Sequence, residues 1–243
     1  ILFPIGSYKL SAAGKKQLKV IANVIKEIQE KCSFADYLVV DDCSIDNTRG
    51  RLNMLGANYI SGPVNLGIGG AVQAGYKYAQ KNHYDIAIQV DGDGQHDPAF
   101  LTKMAEVMVA EKADMLIGSR FLEKEGFQSS RVRRMGITYF TWLIKLFTRK
   151  KITDPTSGLR MINSDIIEIF AESYPRDYPE PESVVHVIRL GKNVREIPVI
   201  MRERQGGKSS IRFFSSIYYM IKVTVAILTE LMRKIDRKKE AAK

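Results

Sequence analysis

Cysteine is scarce in this 243-residue chain, with only Cys32 and Cys43, eleven apart and without a C-x-x-C pair. That argues against a disulfide-framed secreted module and against a zinc–cysteine site, and a reducing, cytosolic setting is expected. Histidine occurs three times, at His83, His96 and His186, too scattered to suggest ligation. Nowhere do 18 uncharged apolar residues run together, so no membrane-spanning helix is expected. The first residues, Ile1–Gly6, lack a basic leader, so no signal peptide is expected. Internal repeats and low-complexity linkers are also missing. Acidic residues are absent from one whole stretch, residues 131–151.

What is present is a chain of ordinary globular composition, 45% hydrophobic and 26% charged, with a formal net charge of +10. A domain of this size buries roughly 70–75% of the surface of its unfolded chain and needs no covalent staple. The positive charge asks for an acidic partner, and it is local. Residues 131–151 carry seven basic side chains, Arg131, Arg133, Arg134, Lys145, Arg149, Lys150 and Lys151. Residues 233–239 carry five more, against Asp236 alone. The rest of the chain is close to neutral.

From about residue 20 to 120, helical and strand patterns alternate. Val20, Val24, Ile25 and Ile28 make a helical stripe, and further helices are expected at Asn47–Leu55, Ile68–Lys81 and from Pro98 to Ala110. Short apolar runs at Tyr37–Val40, Asn58–Ser61, Asp85–Val90 and Met115–Gly118 read as strands. Two of them end in acids, Asp41-Asp42 and Asp91-x-Asp93. The rhythm predicts an α/β fold with a mostly parallel sheet flanked by helices, and in such sheets ligands bind beyond the carboxyl ends of the strands.

After residue 125 the character changes. Met135–Phe147 is apolar nearly all round and lies between basic clusters. Phe213–Ile235 predicts a long helix with a polar stripe at Ser215, Lys222 and Thr229, joined by Ser216, Glu230 and Arg233. Its apolar face holds Phe214, Ile217, Ile221, Val225, Leu228 and Met232. Two readings are open: a helix packed on the core or on a second subunit, or an amphipathic helix at a membrane interface. The second has anionic head groups answering the basic clusters, at roughly 1 kcal/mol per basic residue, with Trp142 as an interfacial anchor.

The residues with the clearest chemistry are Gln89-Val90-Asp91-Gly92-Asp93-Gly94-Gln95-His96-Asp97-Pro98. Two carboxylates one residue apart at a strand end, with glycines between, can converge on one hard cation such as Mg²⁺ or Mn²⁺, which keeps positions for substrate phosphates. The alternative is a plain acidic turn; an EF-hand is ruled out, because the later ligands are missing. At Asp41-Asp42-Cys43-Ser44 a second acidic strand end can face a nucleobase and ribose, while Asp46 or Thr48 can simply cap the helix that follows. Asn65-Leu66-Gly67-Ile68-Gly69-Gly70 is a glycine-rich helix entry without the third glycine of a dinucleotide fingerprint.

Four strings together, VVDDCSIDNT at 39–48, NLGIGGAVQAGYKYA at 65–79, QVDGDGQHDP at 89–98 and GSRF at 118–121, resemble the nucleotide-binding half of a family 2 glycosyltransferase with the GT-A fold. Downstream, DPTSGLR at 154–160 and RERQGGKSS at 202–210 resemble the polyprenyl-phosphate sugar transferases, the branch like dolichyl-phosphate mannose synthase. The resemblance covers roughly residues 20–215. It implies that Asp41 and Asp42, with Ser44, Asn65 and Gly67, line the nucleotide, and that Asp91, Asp93 and Gln95 hold or orient the metal on the sugar-nucleotide diphosphate. It implies Asp154 as catalytic base and Arg120, Arg160, Arg202 and Lys208 as ligands of the diphosphate or of the acceptor phosphate. Guanidinium groups suit such contacts. An acceptor phosphate is largely ionised near neutral pH, so Asp154 has orienting work as well as proton transfer open to it.

Two departures stand out. The first strand of the family normally ends in Pro-x-Tyr-Asn-Glu, whereas Pro4 here is followed by Ile5-Gly6-Ser7-Tyr8. The branch often carries C-terminal membrane helices, whereas this sequence ends in one amphipathic helix and a basic tail, for which peripheral attachment is expected. Tyr178-Pro179-Glu180-Pro181-Glu182 admits two roles, contact with sugar or acceptor and support of a helix N-terminus.

The expectation is therefore an inverting, metal-dependent transferase, with Mg²⁺ or Mn²⁺, moving a hexose or N-acetylhexosamine from a nucleotide sugar, UDP-linked by preference, to polyprenyl (undecaprenyl) phosphate for cell-envelope glycans. Its place would be the cytoplasmic face of the membrane, held there by residues 131–151 and 212–239, with a small membrane-protein partner or homo-oligomer open. The expected organisation is a nucleotide-sugar core at 1–125, interface helices at 126–152, an acceptor-side part at 153–211 and a C-terminal helix and tail at 212–243. A same-fold transferase acting on a saccharide or glycolipid is the alternative. A nucleic-acid-binding module on the 131–151 patch leaves Asp91, Asp93 and Asp154 without a role and shows no reader motif.

Overall fold

A computed structural model describes residues 12–123, 125–126, 131–203 and 213–233. Pro4–Tyr8, Lys208 and the basic tail from residue 234 lie outside the described residues. The described chain runs α1 (Ala12–Lys31), β1 (Val39–Asp41), α2 (Thr48–Met54), β2 (Tyr59–Ser61), α3 (Gly67–Lys81), β3 (Ile86–Gln89), α4 (Ala99–Ala110), β4 (Met115–Ser119), α5 (Arg131–Thr148), β5 (Arg160–Asn163), α6 (Ser164–Glu172), α7 (Pro179–Arg189), β6 (Val194–Pro198) and α8 (Phe213–Met232). The helices and strands expected before residue 120 are all present, with ends shifted by a few residues.

β1 and β2 pair in parallel, and a second sheet has the order β3-β5-β4-β6. β4 and β6 are parallel, while β5 runs antiparallel to both β3 and β4. The sheet is thus mixed, where a mostly parallel one was expected; strand direction is shared by β3, β4 and β6, and β5 alone is reversed. This reversal positions the site. Arg160, at the start of β5, sits opposite Gln89, at the end of β3, so the loop before β5 emerges at the same edge as the loop after β3. In an all-parallel sheet those two loops would lie at opposite ends.

Helices cover both faces of this sheet. On one face Met115, Ile117 and Ile162 pack with Phe140 and Ile144 of α5, Ile166 and Phe170 of α6, Val184 of α7 and Val223 and Ile227 of α8. On the other, Leu116 and Met161 pack with Val20, Val24 and Ile28 of α1 and Leu101 and Met104 of α4. β4 is buried along its whole length, which explains its unbroken apolar run. Burying each of these aliphatic side chains contributes about 1.5–3 kcal/mol.

α3 is seated by two close approaches. Asp42, just past β1, accepts the backbone N–H of Leu66 at 2.7 Å and of Gly67 at 2.9 Å, and the Asn65 side-chain amide at 2.8 Å. A carboxylate from another element thereby caps the helix and answers its positive end. One turn in, Gly69 donates its N–H to the carbonyl of Arg176 at 3.0 Å. A β-carbon there would stand 2.0 Å from the carbonyl oxygen of Pro175, so only glycine lets α3 meet the loop between α6 and α7.

Candidate active site

The loops following β3, β4 and β6 and the loop before β5 converge at one sheet edge. In the first of them, the Asp91 N–H donates to His96 Nδ1 at 3.1 Å, and Asp93 Oδ1 accepts the Gln95 N–H at 3.0 Å. His96 is buried and accepts at Nδ1, so its role is to fold this turn, as expected for a structural histidine. The Asp91 carboxylate faces Gly158: a β-carbon on that glycine would lie 2.5 Å from Asp91 Oδ2. Gly158 therefore leaves the space that the Asp91 carboxylate fills, and joins the turn after β3 to the loop that carries Asp154.

Asp154 is fully buried. Arg120 donates to it twice, from Nε to Oδ2 at 2.6 Å and from Nη2 to Oδ1 at 2.7 Å, and the Arg120 backbone N–H adds a third bond at 3.2 Å. Thr156 Oγ1 lies 3.2 Å from Asp154 Oδ1 and 3.1 Å from Arg120 Nη2. Such a fork-on-carboxylate pair is strong and geometrically specific. Arg160 is buried below the loop and donates to the carbonyls of Ser157 and Pro155, both at 2.8 Å, and to Ser183 Oγ at 2.7 Å. These bonds tie the Asp154 loop to α7. Ser183 Oγ in turn donates to the carbonyl of Glu180. Burial pushes the Glu180 carboxyl up from its ordinary range, against the pull of Arg160, and the nearby Asp91 charge adds to the rise.

Arg202 sits on the far side of Gln95. Its backbone N–H donates to the Gln95 carbonyl, and its guanidinium reaches Glu27 at 2.9 Å and Asp97 at 2.8 Å. The residues expected around the nucleotide gather at the ends of β1 and β2. Asp41 is buried and accepts the Ser44 N–H at 3.1 Å and the Ser61 hydroxyl at 2.7 Å, with Arg49 Nε 3.6 Å away. Asp42, Asn65 and Gly67 form the α3 cap. The structure thus brings Asp91, Asp93, Gln95, Asp154 and Arg120 to one edge, places Arg160 beneath them, and sets Arg202 against α1 and α4.

Among the described residues, no three His, Cys, Asp or Glu side chains cluster as a ready metal cage. The donor set still fits a divalent cation: Asp91 and Asp93 are hard oxygen donors, Gln95 is close by, and Mg²⁺ or Mn²⁺ typically takes one or two carboxylates plus substrate phosphates.

The family model described as Glycosyl transferase family 2 matches residues 15–170. The chain belongs to that family. Its relatives include the UDP-N-acetylglucosamine–dolichyl-phosphate N-acetylglucosaminyltransferase of Methanococcus voltae, 26% identical over 204 residues, 74% of this chain and 80% of that protein. The undecaprenyl-phosphate mannosyltransferase of Micrococcus luteus is 29% identical over 194 residues, 73% of this chain and 76% of that protein. Among solved structures, glucosyl-3-phosphoglycerate synthase of Mycobacterium tuberculosis, in complex with Mn²⁺, uridine diphosphate and phosphoglyceric acid, superposes with a TM-score of 0.64 at 17% identity, over 96% of this chain and 78% of that one. That likeness shows the shared GT-A-type fold. In this family 2 glycosyltransferase the turn that carries Asp91 meets the Asp154 loop at one edge of the sheet.

One acid beside the Asp154 loop carries little signal in the sequence. Glu196 of β6 accepts the backbone N–H of Thr153 and of Asp154; an acid within the short stretch Val194–Pro198 is its only signal in the sequence. Glu180, for which two roles are open, lies near Arg160 and Asp91.

Proposed function

We propose that this glycosyltransferase moves a hexose or N-acetylhexosamine from a UDP-sugar to a polyprenyl phosphate, with inversion at the anomeric carbon. The observation that carries the reading is the junction of the D-G-D turn with the Asp154 loop, Asp91 against Gly158 and Asp154 against Arg120. Asp91, Asp93 and Gln95 would hold Mg²⁺ or Mn²⁺. When bound, the cation neutralises charge on the diphosphate leaving group. Arg120, oriented by Asp154, supplies a fixed positive group for phosphate oxygens. An acceptor phosphate arrives ionised, so Asp154 serves best as an orienting anion, and in-line attack by a phosphate oxygen gives inversion. Asp41, Asp42, Ser44, Asn65 and Gly67 shape the nucleotide end, and Arg202 and Lys208 serve the diphosphate or the acceptor phosphate. The relatives named for dolichyl and undecaprenyl phosphate support this class of acceptor.

Attachment to the membrane surface belongs to the same proposal. Among the described residues no helix is long and apolar enough to cross a membrane. α5 and α8 lie side by side, joined by Tyr139 Oη and Thr224 Oγ1 at 3.1 Å and by the rings of Phe140 and Tyr219. α8 turns Val223, Ile227 and Glu230 inward and leaves Ile221, Val225, Leu228 and Met232 exposed. Of the polar stripe of α8, Glu230 is buried against α7 and Lys222 pairs with Asp177 at 2.8 Å. The apolar stripe therefore points outward, next to exposed Met135, Trp142 and Leu146 of α5. Exposed Arg133, Arg134, Lys145 and Arg149 on and just after α5 provide the charge that anionic lipid answers.

The test is transfer of labelled sugar into polyprenyl phosphate by the purified chain. Asp93→Asn should keep the fold and lose transfer; an active Asp93→Asn enzyme would overturn the metal assignment.

A further inference from the structure

The loop that carries Asp154 is held between a half-buried carboxylate and a buried guanidinium. From β6, Glu196 accepts the Thr153 N–H at 2.7 Å, the Asp154 N–H at 2.9 Å and the Thr153 hydroxyl at 3.0 Å. From beneath, the Arg160 guanidinium donates to the carbonyls of Pro155 and Ser157. The loop's backbone donors thus meet an anion and its acceptors a cation. The Thr153 hydroxyl is also 2.7 Å from that of Ser119, whose neighbour Arg120 grips Asp154. A closed circuit runs from Glu196 through Thr153, Ser119 and Arg120 to Asp154 and back to Glu196.

A carboxylate suits this position better than any other side chain. Two successive N–H groups and a hydroxyl converge on it, and only an acceptor-only group with two oxygens takes all three. A glutamine would turn its NH₂ toward one of those donors. Buried backbone N–H groups without a partner are costly, so losing this acceptor penalises the loop's present conformation.

We infer that Glu196 is a positioning residue for glycosyl transfer, fixing the Thr153–Asp154 backbone so that Asp154 holds the Arg120 guanidinium in one orientation at the edge shared with Asp91. The inference rests on the proposed roles of Asp154 and Arg120. It assigns Arg160 the matching task from below, in place of the phosphate contact that the resemblance implied.

The experiment compares wild type with Glu196→Gln, Thr153→Val and Thr153→Ser, each as the full chain. One readout needs no acceptor: hydrogen exchange of the Arg120 Nε–H, followed by ¹⁵N NMR. Wild type and Thr153→Ser should protect this proton, and Glu196→Gln and Thr153→Val should lose protection. The second readout is steady-state transfer. Glu196→Gln should lower kcat by roughly ten- to hundredfold while the donor KM stays within about twofold, as expected when a reacting group is misplaced rather than a substrate contact removed. The double variant Glu196→Gln/Asp154→Asn should be no slower than Asp154→Asn alone. Unchanged Arg120 protection in Glu196→Gln, or losses from the two substitutions that multiply, would overturn the inference. If the acceptor is of another class, wild type gives no transfer and the exchange readout still decides. Should Glu196→Gln fail to fold, the Thr153 pair carries the test, because valine removes only the hydroxyl and serine restores it.

Discussion

Arg120 and Asp154 meet through two short hydrogen bonds, with Asp154 fully buried and Arg120 5% exposed. A pair so placed gains little over an apolar pair of the same shape, but either partner alone is a buried, uncompensated charge. Arg120→Ala should therefore destabilise the fold by about 3–5 kcal/mol. Urea unfolding measures this, and the double variant Arg120→Met/Asp154→Leu should recover most of the loss while remaining inactive. Equal instability of the single and double variants would contradict the pairing.

Asp42 stabilises α3 from outside the helix. Asp42→Ala should cost about 1–2 kcal/mol, the range for a lost N-terminal cap, and should weaken nucleotide binding because α3 and β1 share that end of the site. Thermal unfolding and UDP titration check the two effects separately.

How much of this was legible beforehand depends on how local each signal was. The stripe Val20, Val24, Ile28 and the runs ending in Asp41 and Asp91 are local patterns, and the helices and strands they imply are present. β5 was not legible, because Arg160–Asn163 is short and follows a loop, and its reversed direction depends on which neighbours it pairs with. The motif acids were visible as residues but their partners were not. Nothing near Asp42 in sequence announces that it caps a helix starting at Gly67, and nothing near Arg160 announces that Ser183 of α7 accepts from it. α8 shows the same limit: Val223 and Ile227 turn inward together with Glu230, and that orientation is set by Glu230 meeting His186 and Arg189 of α7.

Glu182 gives the fold a pH dependence. Burial, and the negative charge of Glu230, push its carboxyl up from 4.5 to about 7, against the pull of His186 and Arg233. Below pH 4.5 the group is protonated in both folded and unfolded chains. Between 4.5 and about 7 the folded chain keeps the proton and the unfolded chain releases it, so this contribution to stability falls as pH rises through that window. With allowance for its partial exposure, the loss is about 1–2 kcal/mol. Glu182→Gln should remove it, leaving the variant more stable than wild type at pH 8 and nearly equal at pH 4.5. Parallel stability–pH curves for the two proteins would count against this.

The outward apolar face of α5 and α8 should bind anionic membranes. Trp142, Leu146, Val225 and Leu228 are exposed, so replacing all four with serine should leave thermal stability nearly unchanged and release the protein from phosphatidylglycerol vesicles in a flotation assay. Undiminished flotation would move the contact elsewhere on the molecule.

The central claim is sugar transfer to a lipid phosphate at the edge where Asp91 meets the Asp154 loop. The measurement that tests it most directly offers the purified protein undecaprenyl phosphate and a panel of radiolabelled UDP- and GDP-sugars, with Mn²⁺ or Mg²⁺. Label should enter the lipid phase from a UDP-sugar, be lost on adding EDTA and be absent with Asp93→Asn. Nucleotide binding without label in the lipid from any donor would contradict it.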